Sequence, residues 1–304
     1  MNTPQPAMTS RISPAEPEAG ADRALRRDRA PVPVLMYHHV SPNNDMITTT
    51  PERFETQMAW LARAGYTTLD TEGFARFLAG GEVPERSVLL TFDDGYLDNW
   101  VYAHPILRRH GLRAVLFLIT GCLHDGPPRP HAERGAALPD TPSHRDCEAA
   151  IDIGRADDVM LRWSEVQAMR EAGTFEFHSH THTHTRWDKL HGDDPARKTA
   201  ALREDLIASR DTLARELGKA SDQLCWPQGY FDADYLAVAG ELGFRYLYTT
   251  DPKGRNLPGS APSHIHRIAA KDEDDRWLRR RLWLARSRRL GPIYDYFRYG
   301  RRRR

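Results

Sequence analysis

The sequence predicts an α/β fold in which parallel strands are joined by helices. Short apolar runs alternate with amphipathic segments of helical spacing about seven times between residues 33 and 249. Such repeated alternation of strand and helix is typical of a parallel sheet with helical crossovers. The chain has 304 residues, of which 40% are hydrophobic and 28% are charged. It is therefore long enough for one large core and too short for a series of domains.

The individual elements follow from the spacing of the apolar residues. Residues 34–37 form an apolar run, as expected for a buried strand, whereas Phe54, Met58 and Leu61 recur on one helix face and are expected in the core. Strands are predicted at residues 34–37, 66–69, 88–92, 115–119, 174–177, 224–226 and 246–249. Helices are predicted around residues 54–62, 100–107, 163–169, 202–217 and 236–242.

Three segments fall outside this pattern and define the predicted domain organisation. Residues 1–30 are rich in Pro, Ala, Glu and Arg without apolar periodicity, which predicts a disordered leader. Residues 31–275 are expected to form one catalytic domain. Within it, residues 121–158 interrupt the alternation with Gly, Pro, His and Asp, which predicts a loop insertion that is either a lid or disordered. Residues 276–304 form a basic, aromatic-rich C-terminal segment.

The charge of the chain is unevenly distributed. Residues 276–304 hold 12 arginines and one acidic residue, so the rest of the chain carries 31 basic and 41 acidic side chains. An acidic body argues against a nucleic-acid-binding core, and nucleic acid is an unlikely partner. The tail has two interpretations: a helix lying on an anionic membrane surface, or a last helix packed on the barrel.

The apolar runs and the cysteines indicate in which cellular compartment the protein is expected. The longest uninterrupted apolar run, residues 114–119, is far shorter than the roughly 20 residues needed to cross a bilayer. The three cysteines are odd in number and include no closely spaced pair, so neither a disulfide framework nor a thiolate zinc site is expected. We therefore expect a cytoplasmic protein, with the basic tail suited to peripheral contact at the inner face of the membrane.

Four histidines alternate with other residues in the segment 178–184, directly after a predicted strand. Sites in α/β sheets and barrels gather at the carboxyl ends of strands, although such a tract can also be a solvated polar loop. His180 and His184 are four residues apart, so one helical turn would aim both imidazoles at a single ion. His178 and His182 have the same spacing, and spacing alone leaves the register open.

Two adjacent carboxylates, Asp93 and Asp94, end the predicted strand at residues 88–92 and precede Gly95. The simplest interpretation is an Asp-Gly turn. Adjacent residues at a strand end point in different directions, so one carboxylate can bind a cation while the other faces a substrate. Two histidines and one carboxylate leave positions open on a divalent metal, which is a hydrolytic arrangement. The spare carboxylate is then a candidate general base.

These motifs resemble those of the polysaccharide deacetylase family, also called the NodB-homology or carbohydrate esterase family 4 domain. Thr91–Gly95 is similar to its first motif, and His180–His184 to its second. Pro33–Val40 resembles the opening strand of the branch that includes poly-N-acetylglucosamine deacetylases, and Cys225–Tyr230 looks like the third motif. The resemblance covers about residues 31–270, and the ordered occurrence of the motifs is far more specific than any one of them.

The resemblance implies metal-dependent removal of an N-acetyl group from an N-acetylhexosamine, in a distorted (β/α) barrel of about seven parallel strands. By motif position, Asp94, His180 and His184 would bind one divalent metal ion, with Zn²⁺ the expected metal, and Asp93 would be the base. The backbone N–H of Gln228 would stabilise the oxyanion, as in the family.

The sequence also departs from the family pattern. Many members carry an arginine two residues before the third-motif proline, where this chain has Cys225, and Arg267 is a candidate to orient the base instead. The motif that supplies a histidine general acid matches only loosely. His266 is the first candidate for the acid, and His264 and His38 are the alternatives. A lone histidine beside a strand is more often a structural residue, so each of the three also has a structural interpretation.

The expected substrate is an N-acetylated glycan or glycolipid, either a surface glycan or its lipid-linked precursor. His38, Trp226 and Tyr230 are expected to contact it, because aromatic faces suit the apolar faces of sugar rings; the alternative is that aromatic residues near strand ends fill the core. The same site would serve deformylation. The alternative function is a catalytically inactive glycan-binding or scaffold protein with a membrane-associating tail.

Overall fold

The computed structural model describes residues 30–133 and 137–300. The leader predicted at residues 1–30 therefore lies, except for residue 30, outside the described residues.

The described residues form ten strands and eleven α-helices. The strands are β1 (Val34–Tyr37), β2 (His39–Val40), β3 (Thr48–Thr49), β4 (Thr67–Thr68), β5 (Ser87–Phe92), β6 (Ala114–Leu118), β7 (Phe175–Ser179), β8 (Gln223–Cys225), β9 (Tyr246–Tyr248) and β10 (Ile268–Ala269). The helices are α1 (Pro51–Arg63), α2 (Thr71–Leu78), α3 (His104–Arg109), α4 (His144–Asp152), α5 (Ala156–Val159), α6 (Trp163–Glu171), α7 (Trp187–Leu190), α8 (Pro195–Leu217), α9 (Ala233–Glu241), α10 (Asp275–Arg286) and α11 (Leu290–Tyr299). A π-helical turn (Asn99–Ala103) precedes α3, where the sequence predicts one continuous helix.

Seven strands form a curled parallel sheet in the order β10-β1-β5-β6-β7-β8-β9. Ile265 forms a parallel bridge with Tyr248, so the chain just before β10 lies beside β9 and brings the two edges of the sheet together. The predicted distorted (β/α) barrel of about seven parallel strands is confirmed. Because all seven strands run the same way, their carboxyl ends meet at one rim.

Alternation along the strands separates an interior core from an outer one. A cluster that includes Leu89, Phe117 and Tyr248 draws residues from five barrel strands, and Phe74 and Phe77 of α2 pack in it. The barrel interior is thus a filled core closed by α2. The predicted core residues of α1, Phe54, Met58 and Leu61, are fully buried in the outer cluster with the other face of the sheet.

The insertion at residues 121–158 is folded over its described part, so of the two expectations, a lid or a disordered loop, the disordered loop does not apply there. It contains α4 and most of α5, and Cys147 packs in a cluster with Tyr96 and Met160. A buried ion pair fixes its first part, because the Arg129 guanidinium donates at 2.7 Å to the fully buried carboxylate of Glu165. Satisfied polar groups and a small apolar cluster therefore turn this polar segment into a wall beside the barrel.

The first helix of the C-terminal segment packs on the barrel. Leu278 and Leu282 of α10 are fully buried in the same cluster as Met58 of α1. The boundary drawn from composition after residue 275 therefore does not separate α10 from the barrel. α11 is attached through Asp295, which is buried and pairs with Arg255. Over the residues described, no helix is long and apolar enough to cross a membrane.

Candidate active site

The carboxyl ends of the barrel strands surround a cleft of about 420 Å³. Asp93 and Asp94 reach it directly after β5, and His180 directly after β7. The residues that were predicted from separate motifs are therefore brought to one rim by the parallel sheet.

Asp94, His180 and His184 form a three-ligand cluster in this cleft. The Asp94 Oδ1 atom lies 3.2 Å from His180 Nε2 and 3.7 Å from His184 Nε2. Ligand atoms on a tetrahedral zinc ion with bonds of 2.0–2.1 Å lie about 3.3 Å apart. Asp94 Oδ1 is buried without a hydrogen-bond partner in the described structure. An orphaned carboxylate oxygen facing two imidazoles fits a divalent cation.

A turn, and not the predicted helical turn, brings the two histidines together. β7 continues to Ser179, two residues beyond the predicted strand end, and His180 follows it. The chain then reverses through left-handed backbone at Thr181 (φ 67°) and His184 (φ 59°). Asp205 of α8 stabilises this turn by accepting the backbone N–H groups that follow Thr181, at 3.0 and 2.9 Å. The imidazole ring centres of His180 and His184 lie 4.8 Å apart.

The other histidines of the tract bind elsewhere. His178 Nδ1 lies 2.8 Å from the hydroxyl of Ser221, and His182 Nδ1 lies 2.9 Å from the hydroxyl of Thr120. The structure thus brings the side chains of His180 and His184 together and gives His178 and His182 other partners.

The surroundings favour the ligand forms of His184 and Asp94 and orient the His180 ring for binding. The His180 Nδ1 atom lies 2.8 Å from the Cys225 carbonyl oxygen, which places the ring proton on Nδ1 and leaves Nε2 for a cation. Burial, together with the charge of His180, lowers the pKa of His184 to about 4, so this imidazole is neutral at neutral pH. Burial raises the pKa of Asp94, but the neighbouring histidines hold it far below its usual range.

His180 itself shows why a cation and a proton compete here. Burial lowers the pKa of His180, but Cys225 and the adjacent Asp94 carboxylate raise it well above its ordinary value. A proton between His180 and Asp94 occupies the place that a cation would take, so cation binding should release it.

Asp93 is held by a buried arginine. Arg267 is fully buried, and its Nη1 and Nη2 atoms donate to the two oxygens of Asp93 at 2.7 and 2.8 Å. Arg267 Nε donates to the Thr249 carbonyl at 2.8 Å, and Nη2 lies 3.0 Å from Cys225 Sγ. Burial raises the pKa of Asp93, but the charge and hydrogen bonds of Arg267 hold it below its ordinary value. The geometry therefore places Arg267 where it can orient this carboxylate.

Backbone strain separates the two adjacent carboxylates. Asp94 adopts a left-handed conformation with φ 77°, and Gly95 follows with φ 92°. A Cβ atom at Gly95 would lie 2.8 Å from Leu118 Cδ2, so only glycine fits there. The reversal turns Asp94 toward the histidines while Asp93 faces Arg267, and such strain is typical of functional sites.

The histidine beside Asp93 is His38, and not His266. His38 Nε2 lies 3.7 Å from Asp93 Oδ2, and His38 lines the cleft. Burial lowers the pKa of His38, although Asp93 raises it. Because Arg267 points to Asp93, the side chain of the preceding residue in an extended segment points the other way. His266 accordingly lies outside the cleft with Nδ1 3.6 Å from Asp251, which corrects the first choice of acid.

The predicted substrate contacts are placed differently from one another. Gln228 lines the cleft with a left-handed backbone (φ 55°). Trp226 borders the same cleft, but its side chain is fully buried and packs with Phe231 and Tyr235, as in the alternative in which aromatic residues near strand ends fill the core. Tyr230 does not line it, because the Arg186 guanidinium covers its ring at 4.0 Å and Tyr235 packs edge-on against it. Arg186 therefore occupies part of the Tyr230 ring surface, and contact of Tyr230 with a sugar stays a prediction.

The sequence analysis missed the wall that α4 contributes. His144, Glu148 and Asp152 line the cleft at intervals of four residues, a helical spacing that was visible inside the insertion. His144 Nδ1 lies 3.2 Å from Nε2 of the buried His39, whose Nδ1 contacts Asp98 at 2.5 Å. Polar contacts inside the fold thus fix this wall against the barrel.

A carboxylate and two imidazoles beside a second, buried carboxylate form the kind of site that metal-dependent hydrolases use. A sequence model of the polysaccharide deacetylase family matches residues 80–247, which is more than half of the chain. The chain therefore belongs to the polysaccharide deacetylase family, and the resemblance drawn from its motifs is confirmed.

Individual relatives agree with this assignment. The chain is 26% identical over 229 residues to the poly-beta-1,6-N-acetyl-D-glucosamine N-deacetylase of Staphylococcus aureus, covering 74% of this chain and 69% of that protein. It is 42% identical over 91 residues to the putative polysaccharide deacetylase YxkH of Bacillus subtilis. That match spans 30% of this chain and 32% of the relative's length.

Solved structures share the fold. IcaB from Ammonifex degensii superposes with a TM-score of 0.64 at 23% identity, covering 85% of this chain and 98% of that one. The Streptococcus pyogenes deacetylase PplD, in complex with acetate, gives a TM-score of 0.63 at 23% identity, covering 83% and 98%.

Proposed function

We propose that this protein is a metal-dependent hydrolase that removes the N-acetyl group from an N-acetylhexosamine of a glycan. The proposal rests on one observation: the two adjacent carboxylates have different partners. Asp93 accepts hydrogen bonds from Arg267, whereas Asp94 faces His180 and His184. A divalent cation held by Asp94, His180 and His184, with Zn²⁺ the expected metal, would lower the pKa of a water molecule and polarise the amide carbonyl.

The remaining steps fall to side chains of the cleft. Asp93 is the general base, since Arg267 keeps it ionised and fixes the direction of its oxygens. His38 is the group best placed to protonate the leaving amine, because its Nε2 lies 3.7 Å from Asp93 and it lines the cleft. The proton that Asp93 removes from water can therefore pass through His38 to the leaving nitrogen.

The turn after β8 completes the proposed site. Gln228 lines the cleft in a strained left-handed conformation, and its backbone N–H is the proposed donor to the oxyanion. Trp226, predicted as a sugar contact, is fully buried beside this turn and supports it from the core. The names of the Staphylococcus relatives favour N-acetylglucosamine as the sugar, in a surface glycan or its lipid-linked precursor.

An inactive glycan-binding protein is the second candidate function. A binding module has no need of a base beside a cation site, and burying Asp93 with Arg267 costs desolvation of two charges. The catalytic proposal accounts for this pair, and the binding proposal does not.

Removal of one histidine should empty the proposed cation site. We expect His180→Ala and His184→Ala each to lose one equivalent of bound cation, because two ligands hold a divalent ion far more weakly than three. His182→Ala is the matched control from the same tract, since its imidazole contacts Thr120, and it should keep its cation content. Elemental analysis after dialysis measures this. Equal cation content in all three variants would contradict the ligand assignment.

We also propose that the outer side of the C-terminal helices contacts an anionic membrane surface. On α10, the exposed residues Arg279 and Arg280 flank Trp283, whose surface is 59% exposed. Tryptophan and arginine together suit the boundary between lipid and water.

The second helix carries the apolar part of this surface. On α11, Gly291 and Asp295 face the body, while Ile293, Tyr296 and Phe297 are 54%, 72% and 67% exposed. At 100° per residue these exposed residues lie opposite the buried pair. A helix attached by one face thus presents large apolar side chains on the other. The predicted cytoplasmic location stays a prediction.

Charge neutralisation by substitution can test this contact without removing α10 from the core. Arg279→Gln with Arg280→Gln should weaken binding to vesicles containing phosphatidylserine roughly thirtyfold, because each arginine contributes about 1 kcal/mol near such a surface. Added salt should weaken binding further. The control is Arg53→Gln with Arg145→Gln, which removes two exposed charges elsewhere. Equal binding by the two double variants, or stronger binding to DNA than to vesicles, would contradict the membrane proposal.

A further inference from the structure

A second cluster of metal-ligating side chains lies outside the cleft. Asp251 follows β9, and His264 and His266 precede β10, so the cluster joins the two ends of one long connection. Asp251 Oδ2 lies 3.4 Å from His264 Nε2 and 3.6 Å from His266 Nδ1. The three ligand atoms all lie within 4.8 Å of one another.

The backbone explains why both histidines point to the same side. In an extended chain, alternate residues share a face. Ile265 is buried in the barrel interior and Arg267 points to Asp93, so His264 and His266 both face outward, toward Asp251. The imidazole ring centres of the two histidines lie 4.7 Å apart.

One polar atom of this cluster lacks an ordinary partner, whereas Asp251 Oδ1 accepts the Lys253 backbone N–H at 3.0 Å and Asp251 Oδ2 contacts His264. His266 Nδ1 is buried without a hydrogen-bond partner in the described structure, and its distance to Asp251 exceeds hydrogen-bonding range. The other edge of its ring packs against Gly254, where a Cβ atom would lie 1.9 Å from Nε2. The ring is therefore fixed with its unpaired nitrogen toward the carboxylate.

We propose that Asp251, His264 and His266 form a second divalent-cation site, separate from the one in the cleft. The two separations from Asp251 match the spacing of about 3.3 Å between ligands on a tetrahedral zinc ion. Two imidazoles and one carboxylate suit Zn²⁺ and similar borderline cations. With three ligands, two of them about one-third exposed, the site binds more weakly than a closed four-ligand site and leaves room for solvent.

The role that follows is positional. A cation there would join the end of β9 to the chain just before β10 and so shorten the free loop between them. Arg267 is the residue directly after His266, so the same cation would stabilise the segment that holds the Asp93 carboxylate. The cation would thus stabilise the closure of the barrel between β9 and β10, and it would not contact the cleft.

Cation counting in single variants tests this proposal. After dialysis against buffered micromolar Zn²⁺, the full-length protein should hold about two zinc ions per chain, and His264→Ala and Asp251→Asn about one each. Asp251→Asn keeps the size of the side chain, which protects the test if the alanine variant misfolds. His124→Ala removes an exposed histidine outside both clusters and should keep two.

A second measurement isolates the new site from the cleft. In the His184→Ala background, added Zn²⁺ should still raise the melting temperature, and this rise should vanish when His264→Ala is added. A zinc content equal to that of the wild type in both His264→Ala and Asp251→Asn would overturn the proposal. Neither measurement depends on whether the cleft is catalytic.

Discussion

Asp93→Asn should fold, keep its cations and lose turnover by roughly a hundred- to ten-thousand-fold. The substitution preserves shape but removes the proton acceptor and leaves the buried Arg267 without its charge partner, so some stability should be lost as well. Asp93 is not among the three residues of the proposed cleft ligand set, so the cations should stay bound. Steady-state acetate release and elemental analysis on the same preparation measure both quantities.

Asp94→Asn is the matched comparison on the adjacent residue. It removes the carboxylate that faces His180 and His184, so it should reduce cation retention as well as turnover. Two variants with the same cation content and the same rate would contradict the division of labour between the carboxylates.

Arg267→Met should destabilise the fold by about 3–5 kcal/mol, because it leaves the buried Asp93 carboxylate without its partner. The effect should depend on pH. In the wild type, the lowered pKa of Asp93 contributes stability above the unfolded pKa of about 4, and this is lost as the pH falls through the folded value. In Arg267→Met, burial raises the pKa of Asp93, so the variant recovers stability as the pH falls. Urea unfolding in chelator should therefore show the difference narrowing toward acidic pH.

Moving the guanidinium to a neighbouring position tests whether Arg267 acts by orienting the Asp93 carboxylate or only by filling space in the core. The double variant Arg267→Cys with Cys225→Arg places an arginine at the position that many family members use, beside the same carboxylate. We expect it to recover turnover relative to Arg267→Met. Full activity and stability in Arg267→Met would show that the contact with Asp93 does not matter.

Local patterns in the sequence predict the fold well, whereas the choice of His180 and His184 over His178 and His182 comes only from the family resemblance. The strands that end in Asp93 and His180 are uniformly apolar or clearly alternating, and parallel strands bring their carboxyl ends together whatever their separation along the chain. The pairing of Asp93 with Arg267, which are 174 residues apart, depends on the closure of the barrel. From the sequence alone, only the comparison with the family motifs suggests Arg267 as the partner of Asp93.

The errors have equally physical origins. His266 precedes a strand of two residues, too short for alternation to show which side faces the cleft. The turn after His180 uses left-handed backbone at residues other than glycine, which the tertiary contact to Asp205 stabilises. The insertion is ordered through Arg129 and Glu165, a contact across 36 residues that its polar composition does not reveal.

Acetate release from N-acetylglucosamine oligomers tests the central claim most directly. The wild-type protein should release acetate, lose this activity after chelation, and regain it with added Zn²⁺, whereas Asp93→Asn should stay at the background rate under all three conditions. Acetate release at the wild-type rate by Asp93→Asn, or by protein stripped of cations, would contradict the account.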